Sequence, residues 1–282
     1  MPRAPTTSAP AASPASDPNF VHSLAKGLEI LSAFSEGDLL GNQQLVAITG
    51  FPKATVSRLT STLVHLGYLR VDPKTRKLIL SSRLLGMGAT VQRRIGLQRT
   101  AYSLMNALSA ETGLTVMMEA RDRLGMVILE VVRPPSETRL VTNTDVGVVL
   151  PIANTSSGLA YIVAAPVKER TQIFQGLRKR FPEDWNTLRE RIERAHLEYT
   201  RYGFVTSLRS WEREVSGVSV PFAPTPHSSV YAFNIAGPTA QVPVTRLRKE
   251  LGPRLLRFCN ELRLEMRDAP GPRLSQPEIY EP

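Results

Sequence analysis

The stretch GFPKATVSRLTSTLVHLGYL, residues Gly50 to Leu69, begins with a turn and then has the pattern of a helix. Apolar residues recur on one stripe of that helix at Val56, Leu59 and Leu63, and Gly67 is placed to end it. Pro52 suits a first helical position, where its missing N–H is not needed. The first turns carry short polar and cationic side chains, which a helix that only supports a core does not require.

Two further helices precede this stretch, and a hairpin follows it. VHSLAKGLEILSAFSE has apolar residues at near-helical spacing, and QQLVAIT reads as a short second helix. After the stretch, YLRVD alternates like a strand, DPKTRK reads as a turn with three cations, and LIL as a returning strand. The pattern predicts a winged helix-turn-helix over residues 20–82, with the helix-turn-helix at about 42–61.

This arrangement gives the polar front of the third helix a function. We expect its first turns to enter the major groove of DNA and the basic wing to follow the flanking backbone. The DNA-binding candidates are Lys53, Thr55, Ser57 and Arg58 on the helix, with Lys74, Arg76 and Lys77 in the wing. The alternative is a solvated helix on an ordinary helical bundle, which leaves the basic hairpin unexplained.

The net charge of +10 is unevenly distributed along the 282 residues. Residues 20–100 contain 11 Lys and Arg against 4 Asp and Glu, whereas residues 101–282 contain 23 against 20. This asymmetry indicates a polyanion-binding module followed by a near-neutral one. Charge alone is equally compatible with a solvated basic face.

Other sequence features argue against a membrane protein and against an enzyme. No stretch approaches the ~18 apolar residues of a membrane span, and residues 1–19 are predicted to form a disordered tail. The single cysteine, Cys259, fits a cytoplasmic location and a buried position. The four histidines are scattered, and neither a nucleophile elbow nor a P-loop is present. We therefore expect no enzyme, no catalytic or metal site, no cofactor and no membrane partner.

The rest of the chain predicts a linker and a second domain. Residues 83–112 read as a linker helix, which either pairs with its copy in another subunit or packs on its own domain. Residues 113–267 alternate apolar strand pairs with helices, which indicates an α+β domain. Residues 268–282 are proline-rich and are predicted to form a loose tail.

The motifs resemble those of IclR-type transcriptional regulators. FPKATVSRLTSTLVHLGYL, with LAKGLEIL before it and RLLGMG after it, is similar to the family's DNA-binding domain. LPIANTSSGLA, GFVTS, GVSVPF and AFNIAGP are similar to its second domain in order and spacing, so the resemblance covers about residues 20–267. It implies a winged helix joined by a linker helix to a GAF-like antiparallel-sheet effector domain. It also implies homodimers or homotetramers on double-stranded operator DNA, commonly repressing catabolic or metabolic genes under the control of a small organic acid.

The family's ligand pocket is carried over by motif. It implies effector contacts from Leu150, Thr155, Ser156, Ser157, Val215, Gly217, Asn234 and Ala236. The chemistry is plausible by itself, since Ser156 and Ser157 lie near a helix N-terminus that can hold a carboxylate. Asn234 can both donate and accept hydrogen bonds.

Several positions depart from the pattern of members that bind small keto acids. Those members often have Cys at the position of Gly217, an acid at Ser207, and Ser at Asn234 and Ala236. Trp211 adds a ring that could stack on a ligand, so a larger, aromatic acid fits better than glyoxylate or pyruvate. Two alternatives stay open: a second domain that only oligomerises and senses no ligand, and a purely architectural DNA-binding protein.

Overall fold

The structure is a computed structural model that describes residues 19–36, 39–94, 96–134, 144–225 and 228–268. The predicted tails lie outside these ranges, except for residues 19 and 268. The main boundary between two compact units falls between Ile95 and Gly96. Within the described ranges, no helix has the length and apolar character needed to cross a membrane.

Within the first unit, three helices and a two-stranded hairpin precede the linker. The helices are α1 (His22–Ser32), α2 (Asn42–Thr49) and α3 (Lys53–His65), with a 3-10 turn at Ala33–Glu36 after α1. Strands β1 (Leu69–Val71) and β2 (Leu78–Leu80) pair antiparallel. Their shared core includes Ile30, Phe34, Leu45, Val56, Leu63 and Leu69. The predicted helix-turn-helix with its hairpin is therefore confirmed.

The turn between α2 and α3 depends on backbone conformation. Gly50 has a φ of 70°, in the left-handed region that glycine adopts without steric cost, and its N–H donates to the Val46 carbonyl. Pro52 is the N-cap residue in extended conformation, so α3 begins at Lys53 and not, as predicted, at the proline.

The predicted linker is described as two helices, α4 (Arg83–Arg94) and α5 (Gly96–Thr112), with Ile95 outside the described residues. Helix α5 packs on the sheet and on the last helix of its own unit. It buries Leu97, Ala101, Met105 and Leu108 there. Packing on its own domain therefore accounts for the apolar pattern of this part of the linker.

The second unit is built on a six-stranded antiparallel sheet with strand order β5-β4-β3-β8-β7-β6. The strands are β3 (Thr115–Asp122), β4 (Gly125–Val132), β5 (Val149–Pro151), β6 (Val205–Leu208), β7 (Val215–Phe222) and β8 (Tyr231–Pro238). The β3–β8 pairing places Met117 opposite Asn234 and Glu119 opposite Ala232. Helices and an antiparallel sheet together confirm the predicted α+β fold.

Helices cover both faces of this sheet. The remaining helices are α6 (Ser156–Ala164), α7 (Val167–Arg180), α8 (Trp185–Tyr202), α9 (Val244–Arg246) and α10 (Gly252–Asp268), with a π-helical stretch at Leu247–Leu251. Phe233 contacts Phe258 of α10, with ring centroids 4.9 Å apart. Its neighbour Asn234 points to the opposite face, where α6 packs, because side chains alternate along a strand. The polar residues of β7 and β8 therefore meet the beginning of α6.

Candidate DNA-binding face and effector cavity

The front of α3 separates buried anchors from exposed polar groups. Val56 and Thr60 are buried, and the Thr60 hydroxyl donates to the Val56 carbonyl at 2.9 Å. Lys53, Ser57 and Arg58 are exposed, and Thr55 is half-buried. The first N–H groups of a helix have no carbonyl partner within it, and no N-cap side chain accepts a hydrogen bond from those of α3. This end of α3 therefore favours an approaching phosphate.

The wing turn is held in shape by one carboxylate. Asp72 Oδ1 accepts hydrogen bonds from the Thr75 N–H at 2.7 Å, the Thr75 hydroxyl at 2.8 Å and the Lys74 N–H at 3.1 Å. The backbone bond from Thr75 is the largest cause of a lowered Asp72 pKa. Arg76 has a φ of 58°, Arg76 and Lys74 are exposed, and Lys77 is half-buried. The turn therefore exposes two of the three predicted wing cations to solvent.

A small cavity of about 30 Å³ lies between the start of α6 and strands β7 and β8. The structure brings eight of the nine predicted effector residues to it, namely Leu150, Thr155, Ser156, Trp211, Val215, Gly217, Asn234 and Ala236. Its other lining residues are Met117, Thr144, Ser207 and Ser216. A volume of this size holds about two water molecules.

Ser157, the ninth predicted residue, lies behind the lining and does not line the cavity. It is fully buried, and its hydroxyl donates to Glu119 Oε2 at 2.6 Å. Thr155 caps α6 by accepting from the Gly158 N–H at 3.1 Å. Gly158 is required here because a Cβ would lie 1.9 Å from the Ile152 carbonyl oxygen. The chain at Ile152, just before α6, is thus packed directly against the first turn of that helix.

Hydroxyl and guanidinium groups fix the rest of this wall. Ser219 donates to Ser156 Oγ at 2.9 Å, which ties β7 to the first residue of α6. Ser207 donates to the Asn154 carbonyl at 3.3 Å. Arg191 of α8 donates to the Ala153 carbonyl and the Asn154 side chain. These bonds tie the start of α6 and the turn before it to β6, β7 and α8.

Sequence reasoning missed the buried acid of the site. Glu119 is completely buried on β3 and accepts from Ser157 and, at 3.3 Å, from Asn234 Nδ2. Burial raises its pKa to about 7, against the opposing effect of these two hydrogen bonds. The available signal was an acidic residue inside LTVMMEA, a strand apolar on both faces, where an unpaired carboxylate is costly.

Asn234 also carries the one unsatisfied buried side-chain atom among the described residues. Its Oδ1 is buried and has no hydrogen-bond partner there. A Cβ on Gly217 would lie 3.0 Å from Asn234 Oδ1 and 3.3 Å from Ser156 Oγ. The glycine leaves room in front of an acceptor that lacks a donor.

Other reactive groups in the described part of the chain do not form a site. His, Cys, Asp and Glu residues make no group of three or more there that could hold a metal ion. Cys259 is buried on α10, and burial raises its thiol pKa well above the usual value.

Comparison with known families agrees with both units. Residues 23–73 match the IclR helix-turn-helix domain, and residues 89–262 match the bacterial transcriptional regulator IclR C-terminal domain. The HTH-type transcriptional regulator TsaQ1/TsaQ2 of Comamonas testosteroni is 55% identical over 260 residues, covering 92% of this chain and 94% of its own. These relatives are transcriptional regulators and not enzymes.

Solved structures show the same architecture. An IclR family transcriptional regulator from Brucella abortus is 38% identical, with a TM-score of 0.79 over 90% of this chain and 94% of its own. An IclR homolog from Microbacterium hydrocarbonoxydans, solved with 4-hydroxybenzoate, shares the fold with a TM-score of 0.65 at 19% identity, over 87% of this chain and 98% of its own. The matched domains together take in most of the sequence, and the chain belongs to the IclR family of DNA-binding transcriptional regulators.

Proposed function

We propose that a small organic acid, bound in the cavity between α6, β7 and β8, controls the operator binding of this regulator. We further propose that it acts as a homodimeric or homotetrameric cytoplasmic repressor of catabolic or metabolic genes. The observation that carries the effector part is the buried, unpartnered Asn234 Oδ1 on the cavity lining. Natural proteins leave few such atoms, and this acceptor is explained by a ligand whose hydroxyl or N–H group donates to it, as the phenol group of a hydroxylated aromatic acid can.

The class of acid is inferred from the lining. Trp211, Leu150 and Val215 offer apolar contact surface, whereas Ser156 and Asn234 offer polar atoms beside the beginning of α6. The related protein solved with 4-hydroxybenzoate supports an aromatic acid as the first compound to test.

A second candidate is favoured by the size of the cavity. At about 30 Å³ it is smaller than any aromatic acid, so binding requires the lining to move outward. If the lining does not move, the second unit serves only for oligomerisation. The two candidate functions of the second unit therefore differ in one measurable property, namely whether it binds an organic acid.

The first experiment measures operator affinity by fluorescence anisotropy with the DNA upstream of the regulator's own gene. Benzoate, 4-hydroxybenzoate, pyruvate and glyoxylate are added in turn, and each is also tested for a rise in melting temperature. We expect an aromatic acid to change operator affinity about 5–150-fold, the usual range of allosteric coupling. No binding by any acid would leave oligomerisation as the function of the second unit.

Gly217→Ala tests where the acid binds. Its new Cβ would occupy the space in front of Asn234 Oδ1 and should lower acid affinity while operator affinity without acid stays unchanged. Gly86→Ala is the matched control, because nothing lies within 4 Å of the new methyl group there. Trp211→Ala removes a lining side chain without touching the backbone, and serves if Gly217→Ala does not fold.

A further inference from the structure

The cavity has a buried acid directly behind its lining. Glu119 is fully buried, and the elements around it supply two donors, Ser157 from α6 and Asn234 from β8. Its neighbours across the sheet are Ile128 and Ala232, which carry no charge. A carboxylate effector would therefore be bound close to a second carboxyl group with no cation between them.

Asn234 connects this acid to the cavity. Its Nδ2 donates to Glu119 Oε1 at 3.3 Å, and its Oδ1 stands unpartnered at the lining. An ionised carboxylate only accepts hydrogen bonds, so ionised Glu119 holds the amide in this direction. The cavity then presents an acceptor, which a carboxylate oxygen cannot bond.

Protonation of Glu119 reverses this polarity. A neutral carboxyl group has an O–H that can donate to Asn234 Oδ1 once the amide has turned by 180°. The amide Nδ2 then faces the cavity, where it can donate to an acid. The same two side chains thus offer either an acceptor or a donor, depending on one proton.

We propose that Glu119 and Asn234 form a proton-coupled selectivity pair, through which the regulator binds an organic carboxylate together with one proton that resides on Glu119. The inference rests on the proposed effector function and specifies its chemistry. With Glu119 ionised, the same cavity favours an uncharged ligand that carries a hydrogen-bond donor.

The electrostatic surroundings support a proton change near neutral pH. Burial is the largest cause of the raised pKa of about 7, and hydrogen bonds from Ser157 and Asn234 oppose it. The titratable side chains on the adjoining elements are Arg99, Tyr102 and Glu111 on α5, Tyr161 on α6, Glu130 on β4, Tyr231 on β8, and Arg121 and Asp122 on β3 itself. None of them contributes to that shift. A bound carboxylate would raise the pKa of Glu119 further, because two like charges at one site disfavour ionisation.

The test is calorimetric titration of the full-length protein with benzoate and 4-hydroxybenzoate between pH 6 and 9. We expect a constant affinity below pH 7 and a loss of about tenfold per pH unit above it. Titrations at pH 8 in phosphate and in Tris, which differ in ionisation enthalpy, should show uptake of close to one proton per site. Benzamide, which is uncharged and carries N–H donors, should not weaken with rising pH.

Variants assign the proton to its site. Glu119→Gln mimics the neutral acid, so at pH 9 it should bind benzoate on the order of a hundredfold more tightly than the parent and show no pH dependence. Ser157→Ala removes a donor to the ionised form and should move the loss of affinity to higher pH. Glu265→Gln, an exposed carboxylate on α10, is the matched control and should behave like the parent.

The outcomes separate this inference from the function on which it rests. Acid binding without proton uptake, or with a pH dependence that survives in Glu119→Gln, overturns the selectivity pair and leaves the effector function standing. Absence of binding by all tested acids at every pH overturns both. Tight, pH-independent binding by Glu119→Gln together with proton uptake by the parent supports the pair.

Discussion

The carboxyl group of Glu119 couples stability to pH even without a ligand. Its folded-state pKa of about 7 lies above the ordinary value of 4.5, so ionisation disfavours the folded state. Its contribution to stability is complete below about pH 4.5 and is lost as the pH rises to about 7. We expect Glu119→Gln to gain about 2–3 kcal/mol of unfolding free energy over the parent between pH 5 and pH 8.

Denaturant titration followed by tryptophan fluorescence measures this difference. Both tryptophans, Trp185 and Trp211, lie in the second unit, so their signal reports its unfolding. The control variant Glu265→Gln should have the same unfolding free energy as the parent at every pH. If the unfolding free energies of Glu119→Gln and the parent differ by the same amount at every pH, Glu119 does not titrate between pH 5 and pH 8.

At the scale of residues, motif matching located the cavity lining but not the acid behind it. Thr155, Ser156 and Asn234 follow recognisable motifs and meet at the cavity. Glu119 is brought to Asn234 by the pairing of β3 with β8, across 115 positions of sequence. A local pattern contains no information about such a pairing, so only the register of the sheet shows the contact.

The third helix of the first unit is the element on which DNA recognition is predicted to depend. Arg58 is exposed on α3, whose opposite side is anchored by buried Val56 and Leu63. We expect Arg58→Ala to weaken operator binding by about 1–3 kcal/mol, because a bidentate contact to a base edge would be lost. Fluorescence anisotropy with the operator measures the effect.

Arg257→Ala is the matched control for this substitution. Arg257 is an exposed arginine of the second unit, so the control removes the same charge from a different element. Binding of organic acids should be unchanged in both variants. Equal operator affinity of Arg58→Ala and the parent would remove Arg58 from the contact surface.

Helical periodicity predicted where elements run, but not how deeply they are buried. The pattern of α1 makes Leu24 and Leu28 look like core residues, yet they are 62% and 56% exposed, while Ile30 is fully buried. Periodicity gives the direction of a face, and the depth of burial depends on which neighbours cover it. For the same reason the linker pattern did not distinguish pairing between subunits from packing on the sheet.

The whole molecule concentrates its excess positive charge in residues 20–100, which predicts a strong dependence of DNA binding on salt. If 6–10 phosphates are neutralised, operator affinity should fall about 10³–10⁵-fold between 50 and 200 mM salt. Anisotropy titrations at four salt concentrations give the slope. As a control, the affinity of the second unit's cavity for an acid, measured without DNA, should change far less with salt concentration. An operator affinity that does not change with salt would argue against the phosphate contacts.

The architecture of the whole chain was accessible from sequence because its signals are independent and agree. The helix-turn-helix pattern and the charge asymmetry point to a DNA-binding unit, the motifs of the two domains together resemble one regulator family, and the matched domains confirm that family. The GAF-like character of the sheet domain, the oligomeric state and the repressor role stay predictions. The oligomeric state and the repressor role depend on assembly and on partners that the fold of one chain does not specify.

The deep burial of Cys259 has a practical consequence for studying this regulator. As the chain has no other thiol, alkylating reagents and maleimide dyes should leave the native protein unlabelled. A cysteine introduced at an exposed position, such as Ser57 on α3 or Lys74 in the wing, would then carry the probe alone. In the proposed homodimer, distance measurements between two such labelled subunits would follow the spacing of their α3 helices when an acid is added, without first removing a natural residue.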